Sequence, residues 1–389
     1  MSNIAVVSHS YPTLKAPEQA SFMKQEAHLI AQSHSVEVHL PSVFALPFQK
    51  QYNRSLNPFE EKLPIHRFSY ISFPRKRFAS ITQPSLSKNL LRSLEKQKPD
   101  VVHLHWLYPS GLAAPAIKEA GYPVVLTIHG GDWYSNVGNK RLMPRLKKCL
   151  LACDKIICVG KQLKKEISGF APTIENSLIH IPHGIDSNLF HPATQNKHDP
   201  PAPGWDFKKT NLLCVANFYH EKGIDLLIQA FSEVSNIEQY HLHVISTGGD
   251  SNIKTELDLL INKLSLRDQV TFYGPHPHEQ LVNFYRSADL LVSPSRKEGF
   301  GLVVAEAIAC GTPVLTTKSG GPEEIVTEKT GKIVKSNNVE ALNSGIQEMV
   351  SSLSKYRPGT LHNHINTHFS LESKSKALNN LYQNVINEN

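Results

Sequence analysis

Residues 289–316 read DLLVSPSRKEGFGLVVAEAIACGTPVLT, and this stretch decides the fold class. Residues 289–293 and 313–316 are short apolar runs typical of buried strands, and between them a helical pattern opens near Leu302. A strand, a helix and a second strand in this order form a βαβ unit, whose two strands pair in parallel. The stretch therefore predicts an α/β domain with a parallel sheet.

The same alternation continues in both directions along the 389 residues, a length that favours two domains. The strand candidates are residues 4–8, 36–40, 65–71, 101–105, 124–129 and 156–159 in the first half, and 211–216, 242–246, 270–273, 289–293, 313–316 and 332–334 in the second. Helical patterns lie between them, for example at residues 18–32 and 140–152. The sequence thus predicts two doubly wound parallel sheets.

A linker is expected between the two sets of strands. Residues 191–210 read HPATQNKHDPPAPGWDFKKT, which is rich in Pro and polar residues, and we place the linker at residues 193–210. The predicted domains are residues 1–192 and 211–370. A last helical pattern occupies the C-terminal segment 371–389, which either packs on the second domain or returns to the first.

Composition excludes several classes of protein. Hydrophobic residues make up 40% of the chain and charged residues 19%, as in folded globular proteins. The excess positive charge lies in the first half, where residues 1–204 hold 24 Lys and Arg against 14 Asp and Glu. We find no nucleic-acid-binding motif and expect no nucleic-acid partner. Five Cys without a C-x-x-C pair or zinc spacing predict free thiols and no metal site.

The N-terminus has no signal-peptide pattern, and no apolar run approaches the roughly 20 residues of a membrane span. We therefore expect a cytoplasmic protein. Residues 73–78 read FPRKRF and alternate aromatic with basic side chains in the positively charged half. This composition suits an anionic membrane surface, to which the chain would bind peripherally; a solvated loop is the alternative.

Ligands of open parallel sheets bind beyond the carboxyl ends of the strands. No G-x-G-x-x-G follows the first strand candidate, which argues against a nicotinamide dehydrogenase. The candidate at residues 124–129 ends in His129, and two Gly residues and Asp132 follow, so an imidazole and a carboxylate lie on a flexible turn. A second imidazole, His183, precedes the linker in IPHGID (residues 181–186). Each His is either a ligand contact or a hydrogen-bonded structural residue.

The Gly turn of the opening stretch carries the densest pattern. Glu298 precedes the turn, and Glu306 lies in the apolar helix that follows, where an unpaired charge is costly. The first amides of a helix favour an anion such as phosphate, and the carboxylates can accept hydrogen bonds from sugar or ribose hydroxyls. In the loop ANFYHEKG (residues 216–223), Lys222 stands at a helix start and can meet a diphosphate. Structural carboxylates and a surface lysine are the alternatives.

These stretches resemble the retaining glycosyltransferases of family 4. The resemblance rests on VVLTIHGGD (124–132), IHIPHGID (179–186), EKGIDLLIQAF (221–231), the segment 272–317 and SGGPEEIV (319–326). It implies the GT-B fold, in which two Rossmann-like domains face a central cleft, and metal-independent transfer of a hexose-type sugar from a nucleotide-diphosphate sugar to a glycan or lipid-linked acceptor. The donor is a co-substrate rather than a cofactor, with a UDP-sugar as the default. DVVHLHWLYPSG (100–111) resembles the branch that builds bacterial surface polysaccharides.

The resemblance also implies roles for individual residues. The expected catalytic residues are His129, Glu298 and Lys222; the donor-binding residues are Asn217, Phe300, Gly301, Leu302 and Glu306; the acceptor-side residues are Asp132 and His183. The sequence departs from the family at two places. Asn217 replaces a phosphate-binding Arg, and PEQASF (17–22) replaces a Gly-rich loop. A non-catalytic sugar-nucleotide-binding subunit and a GT-B-like sugar-nucleotide epimerase are therefore the alternatives.

Overall fold

The computed structural model describes residues 1–13, 19–44, 62–73, 78–193 and 204–388. These residues form two compact units, Met1–Pro182 with Lys374–Asn389 and His183–Ser373. Each unit contains one parallel sheet with helices packed against it.

The sheet of the first unit has seven strands in the order β3-β2-β1-β4-β5-β6-β7. The strands are β1 (Asn3–Val7), β2 (Ser35–Val43), β3 (Ile65–Tyr70), β4 (Val101–His105), β5 (Val124–Ile128), β6 (Lys155–Cys158) and β7 (Leu178–His180). All neighbours pair in parallel. The strand order reverses between β1 and β4, and a doubly wound sheet leaves its ligand crevice at such a switch point.

Helices join these strands. They are α1 (Ser21–Ala31), α2 (Ala79–Leu94), α3 (Ala114–Glu119), α4 (Gly131–Tyr134), α5 (Met143–Leu151) and α6 (Lys161–Phe170). Strand β1 is an unbroken apolar run, and its side chains from Ile4 to Val7 are fully buried because helices cover both faces of the sheet.

The sheet of the second unit has six strands in the order β10-β9-β8-β11-β12-β13, all parallel. The strands are β8 (Thr210–Val215), β9 (Tyr240–Ile245), β10 (Val270–Tyr273), β11 (Leu290–Ser293), β12 (Val314–Thr317) and β13 (Gly331–Val334). The helices are α7 (Ile224–Ser232), α8 (Ser251–Lys263), α9 (Leu281–Ser287), α10 (Leu302–Ala309), α11 (Val339–Ser351) and α12 (Pro358–His368). The last helix, α13 (Leu371–Glu388), begins in this unit. The switch point of this sheet lies between β8 and β11.

The boundary between the units differs from the predicted one. The second unit starts at His183 rather than after residue 192. The reason is that the Ile185 amide donates to the Phe369 carbonyl at 2.7 Å and the Phe190 ring packs against Tyr285, both within the second unit. Of the predicted linker, residues 194–203 lie outside the described residues, and Trp205 stacks on His243 of the second unit.

The C-terminal helix α13 returns to the first unit from Lys374 onward. Four of its side chains, Leu378, Leu381, Tyr382 and Val385, join the core around β1. Among the described residues, no helix combines the length and the apolar character that crossing a bilayer requires.

Candidate functional site

Two loops meet at the switch point of the second sheet. Gly223, in the loop after β8, has φ of 67°, and a Cβ on it would stand 2.1 Å from the carbonyl oxygen of Pro294 in the loop after β11. Only glycine permits this approach. It brings the loop after β8 against the loop after β11, so that Lys222 Nζ lies 2.7 Å from Glu298 Oε2. The Lys222 side chain remains 30% exposed and the Glu298 side chain 17%, so both can reach a ligand.

A second close contact shapes the turn before α10. A Cβ on Gly321 would stand 2.3 Å from Cα of Phe300, so the loop after β12 lies directly on this turn. Gly301 follows with φ of 102° and opens α10 at Leu302. Phe300 itself is buried against Phe369 and His183. The predicted donor-binding residues 300–302 therefore form a fixed helix start, whose first amides have no acceptor inside the helix.

Glu306 is buried in α10 and is held at both carboxylate oxygens. His278 Nε2 lies 2.8 Å from Oε1, and the Tyr285 hydroxyl donates to Oε2 at 2.8 Å. Burial disfavours the imidazolium of His278, but the charge and the hydrogen bond of Glu306 outweigh burial and raise the His278 pKa above 6.5. The buried carboxylate is thus paired, as burial of a charge requires.

Asn217 stands where the family has an Arg, and its side chain bonds to a neighbouring loop. The Asn217 side-chain oxygen accepts from the amide and hydroxyl of Thr247, at 3.1 and 2.6 Å. Arg296, on the loop after β11, is engaged with the loop that follows β8. Its guanidinium forms two hydrogen bonds to Asp225 at 2.8 and 2.7 Å and one to the His220 carbonyl at 2.7 Å. Arg296 therefore clamps the loop that carries Lys222.

His183 lies in the second unit, although the sequence placed it on the acceptor side. It is buried, and its ring meets Phe300 at 5.5 Å between centroids. A β-bridge between Ile185 and Ser370, which lies between α12 and α13, fixes this position. His183 thus supports the turn before α10, beside the predicted donor-binding residues.

In the first unit, His129 and Asp132 follow β5 as predicted. Both oxygens of Asp132 accept main-chain hydrogen bonds, from the amides of Leu107 at 2.5 Å and His129 at 3.0 Å. Burial raises the Asp132 pKa to about 6, although these hydrogen bonds oppose the rise. Asp132 thus ties the end of β4 to the turn after β5, and contact of its carboxylate with an acceptor stays a prediction.

Burial and the nearby Lys374 charge lower the His129 pKa well below 6.5, so its imidazole is neutral at neutral pH. His129 Nε2 lies 3.2 Å from Nδ1 of His105. A neutral imidazole can both donate and accept a hydrogen bond, which suits contact with a sugar hydroxyl.

Several residues around His129 escaped the sequence reasoning. Trp106, which follows β4, lies 4.7 Å from His129 and 4.6 Å from His9 between ring centroids. Below them, the Lys374 ammonium pairs with the buried Glu26. The alternation His103-x-His105 at the end of a strand candidate was an available signal, because it puts both imidazoles on one face.

Among the described residues of the first unit, two groups have the spacing of metal ligands: Glu26 with His103 and His105, and Glu37 with His39 and His66. The side chains of the first group already bond to other residues of the protein. The nitrogens of His103 lie 2.7 Å from the Tyr382 hydroxyl and 2.7 Å from the Thr127 hydroxyl, and Lys374 pairs with Glu26. In the second group, the nitrogens of His39 face Ser93 and Gln97. We interpret both as hydrogen-bonded networks.

The segment proposed for membrane contact is only partly described, because residues 74–77 lie outside the described residues. On either side, Phe73 and Phe78 meet edge to face at 5.3 Å and are 36% and 60% exposed. Further exposed apolar side chains lie on the adjoining strand ends and the first turn of α2: Val43, Phe44, Ile71 and Ile81.

Comparison with known families covers both units. Residues 25–189 match the family described as "Glycosyltransferase Family 4", and residues 195–358 match the family described as "Glycosyl transferases group 1". The chain belongs to glycosyltransferase family 4. The predicted family and the predicted fold, two Rossmann-like parallel-sheet domains of GT-B type, are confirmed.

This glycosyltransferase has relatives in archaea and bacteria. It is 27% identical over 290 residues to an uncharacterized glycosyltransferase of Methanocaldococcus jannaschii, covering 74% of this chain and 75% of the relative. It is 24% identical over 366 residues to the GDP-mannose-dependent alpha-(1-6)-phosphatidylinositol monomannoside mannosyltransferase of Mycolicibacterium smegmatis, covering 89% and 88%. A solved sucrose-phosphate synthase from Thermosynechococcus elongatus superposes with a TM-score of 0.78 over 100% of both chains at 20% identity, a likeness of fold.

Proposed function

We propose that this glycosyltransferase moves a hexose-type sugar from a nucleotide-diphosphate sugar to a glycan or lipid-linked acceptor, with the donor on the second unit and the acceptor on the first. The observation that carries the proposal is the contact between Lys222 and Glu298 beside the start of α10. This contact gathers a cation, a carboxylate and the first amides of a helix at one switch point. The cation and the amides can bind the diphosphate of a sugar diphosphate, and the carboxylate can accept hydrogen bonds from its sugar hydroxyls.

The chemistry follows from these groups. When the sugar leaves, negative charge develops on the diphosphate, and the Lys222 ammonium and the first amides of α10 would stabilise it without reorganising. These groups can supply the stabilisation that a metal ion supplies elsewhere, so we propose metal-independent transfer. Glu298 would accept hydrogen bonds from the donor sugar. In the first unit, the neutral His129 would contact a sugar hydroxyl.

Glu306 would hold the ribose. Each of its oxygens already accepts one hydrogen bond, from His278 or from Tyr285, and a carboxylate can accept about four in total. Capacity therefore remains for the ribose hydroxyls. The two existing partners fix the orientation of the carboxylate before the nucleotide arrives, which lowers the cost of ordering it.

We further propose that the anomeric configuration is retained. The departing phosphate oxygen would take the proton of the acceptor on the face that it leaves, so that the new bond forms on that face. NMR of the product tests this step, because the one-bond coupling between C1 and H1 identifies the anomer, which must be that of the donor. An inverted product would contradict it.

The donor base and the acceptor are tested together. We would incubate the protein with uridine-, guanosine- and adenosine-diphosphate hexoses, with and without membrane lipid extract, and detect released diphosphate by mass spectrometry. Uridine is the default, and the mycobacterial relative, whose name includes GDP-mannose, adds guanosine. Release that depends on extract would place the acceptor in the lipid fraction, in line with a role in bacterial surface polysaccharide synthesis. Release from none of the donors would contradict transfer.

One observation favours a second candidate function, a non-catalytic sugar-nucleotide-binding subunit. Asn217 is uncharged where the family has an Arg, and the described guanidinium of Arg296 is bound to Asp225. This candidate predicts that a donor raises the melting temperature without turnover, and that Asn217→Arg restores release. Full turnover by the wild-type chain would exclude it.

Peripheral membrane binding is also a proposal. The exposed apolar side chains that flank residues 74–77 would enter the interface, and the basic residues of that segment would meet anionic headgroups at about 1 kcal/mol each. Vesicle flotation with and without phosphatidylglycerol tests it. Binding to anionic vesicles that survives replacement of Arg75, Lys76 and Arg77 by Ser would contradict the electrostatic part.

A further inference from the structure

Trp106 has an unusual backbone conformation. It follows β4 directly and has φ of 68°, in the left-handed region that bulky side chains rarely adopt. Both of its main-chain groups are hydrogen-bonded: its amide donates to the Thr127 carbonyl at 3.0 Å, and its carbonyl accepts from the Gly111 amide at 3.0 Å. The conformation is therefore fixed by the end of the sheet, and strain of this kind concentrates at functional sites.

This conformation places the indole among three other rings at the switch point of the first sheet. His9, which follows β1, lies 4.6 Å away, His129, which follows β5, lies 4.7 Å away, and Phe22 of α1 lies 6.1 Å away, all between ring centroids. Because the strand order reverses between β1 and β4, these rings surround the position where a doubly wound sheet binds its ligand.

The chemistry of this cluster matches an uncharged ring. The rings are half-buried, so each still presents part of its surface. Burial lowers the His9 pKa to about 4 and that of His129 further below 6.5, so neither imidazole is charged at neutral pH. A pyranose ring has a face of C–H groups, which packs on an aromatic ring, and a rim of hydroxyls, which neutral imidazoles can meet as donors or acceptors.

We propose that Trp106, together with His9 and Phe22, forms a stacking platform for an uncharged pyranose ring of the acceptor. The assignment to the acceptor rests on the proposed function, whereas the platform itself rests on the arrangement of the rings. A uronate or a phosphate would find no cation among these four side chains, so the subsite selects neutral sugars.

Binding tests the platform without turnover. We would label the full chain with fluorotryptophan and assign its three Trp signals with single Trp→Phe variants. Methyl mannoside, methyl glucoside and methyl galactoside are the probes, at up to about 100 mM since single sugars bind weakly. The signal of Trp106 should shift with saturation by at least one probe, while those of the buried Trp133 and Trp205 stay in place. No shift at Trp106 with any probe would overturn the proposal.

Kinetics test the assignment to the acceptor. Trp106→Gly removes the platform and accepts the same backbone conformation, and Trp106→Phe restores a ring. We expect the half-saturating concentration of lipid extract to rise at least about tenfold in the Gly variant and less in the Phe variant, relative to wild type. Equal half-saturating concentrations would overturn the assignment. A wild-type chain that turns over no donor would instead contradict the proposed function, and sugar binding at Trp106 would still decide on the platform.

Discussion

Replacing His278 by Gln should destabilise the second unit in a pH-dependent way. His278 Nε2 lies 2.8 Å from Glu306 Oε1, and the Glu306 residue is only 4% exposed. Gln offers an amide donor to the same oxygen but carries no positive charge. The variant therefore keeps a hydrogen bond to the carboxylate and loses the attraction between the two charges.

The sign and size of the effect follow from the pKa of His278. Burial disfavours its charged form, but Glu306 outweighs burial, so that the folded-state pKa is above 6.5. A histidine whose pKa is raised by folding stabilises the folded state fully at pH values below its unfolded-state pKa. This stabilisation is lost as the pH rises through the folded-state pKa. Gln donates to the same carboxylate from an uncharged amide, so the difference is the attraction between the two charges, on the order of 1 kcal/mol because the His278 side chain is partly exposed. Wild type should thus exceed His278→Gln by about 1 kcal/mol near pH 6 and converge with it at alkaline pH.

Urea unfolding followed by fluorine NMR of labelled Trp205 measures this. Trp205 packs against His243 and Phe284, so its signal reports on the second unit by itself. His276→Gln is the matched control, since His276 is also partly buried but bonds a main-chain carbonyl, that of Gly274, instead of a carboxylate. A stability difference between wild type and His278→Gln that is the same at both pH values would refute the reasoning.

Three further changes test other contacts. Lys374→Met leaves the buried Glu26 without its cation and should lower the unfolding free energy of the first unit by about 3–5 kcal/mol in urea titrations, whereas adding Glu26→Gln should recover most of that loss. Trp106→Gly should be about 1 kcal/mol more stable than Trp106→Ala, because only glycine accepts this φ without strain; the usual order, with Ala more stable, would contradict the strain. Gly321→Ala should weaken nucleotide binding at least about tenfold in calorimetry, since its Cβ would collide with the turn before α10, and Gly274→Ala, whose Cβ meets open space, should bind as wild type does.

Much of the fold could be predicted from the sequence, because buried parallel strands are apolar runs separated by helical patterns. Every predicted strand overlaps an observed one. Strand β7 (Leu178–His180) was missed, since three residues at a sheet edge carry no periodicity. The unit boundary was misplaced because a Pro-rich composition marks irregular chain, whereas the boundary at His183 depends on long-range contacts such as that of Ile185 with Phe369.

The candidate site was predictable where its residues stand at strand ends. Glu298, Glu306 and Lys222 were found in this way. Their partners were not, because the contact of Lys222 with Glu298 spans 76 residues and depends on how Gly223 approaches a neighbouring loop. The importance of Trp106 follows from a backbone angle and from three rings on separate elements, and neither is encoded by spacing along the chain.

The central claim is that Lys222 on the second unit meets the diphosphate of a nucleotide sugar. Titration calorimetry of wild type, Lys222→Met and the control Lys332→Met with nucleoside diphosphates and monophosphates tests it most directly. Wild type and the control should bind one nucleoside diphosphate more tightly than the corresponding monophosphate. In Lys222→Met the ratio of these two affinities should fall about tenfold, as expected for the loss of one charge-assisted hydrogen bond. An unchanged preference in Lys222→Met, or no nucleotide binding by wild type, would contradict the account.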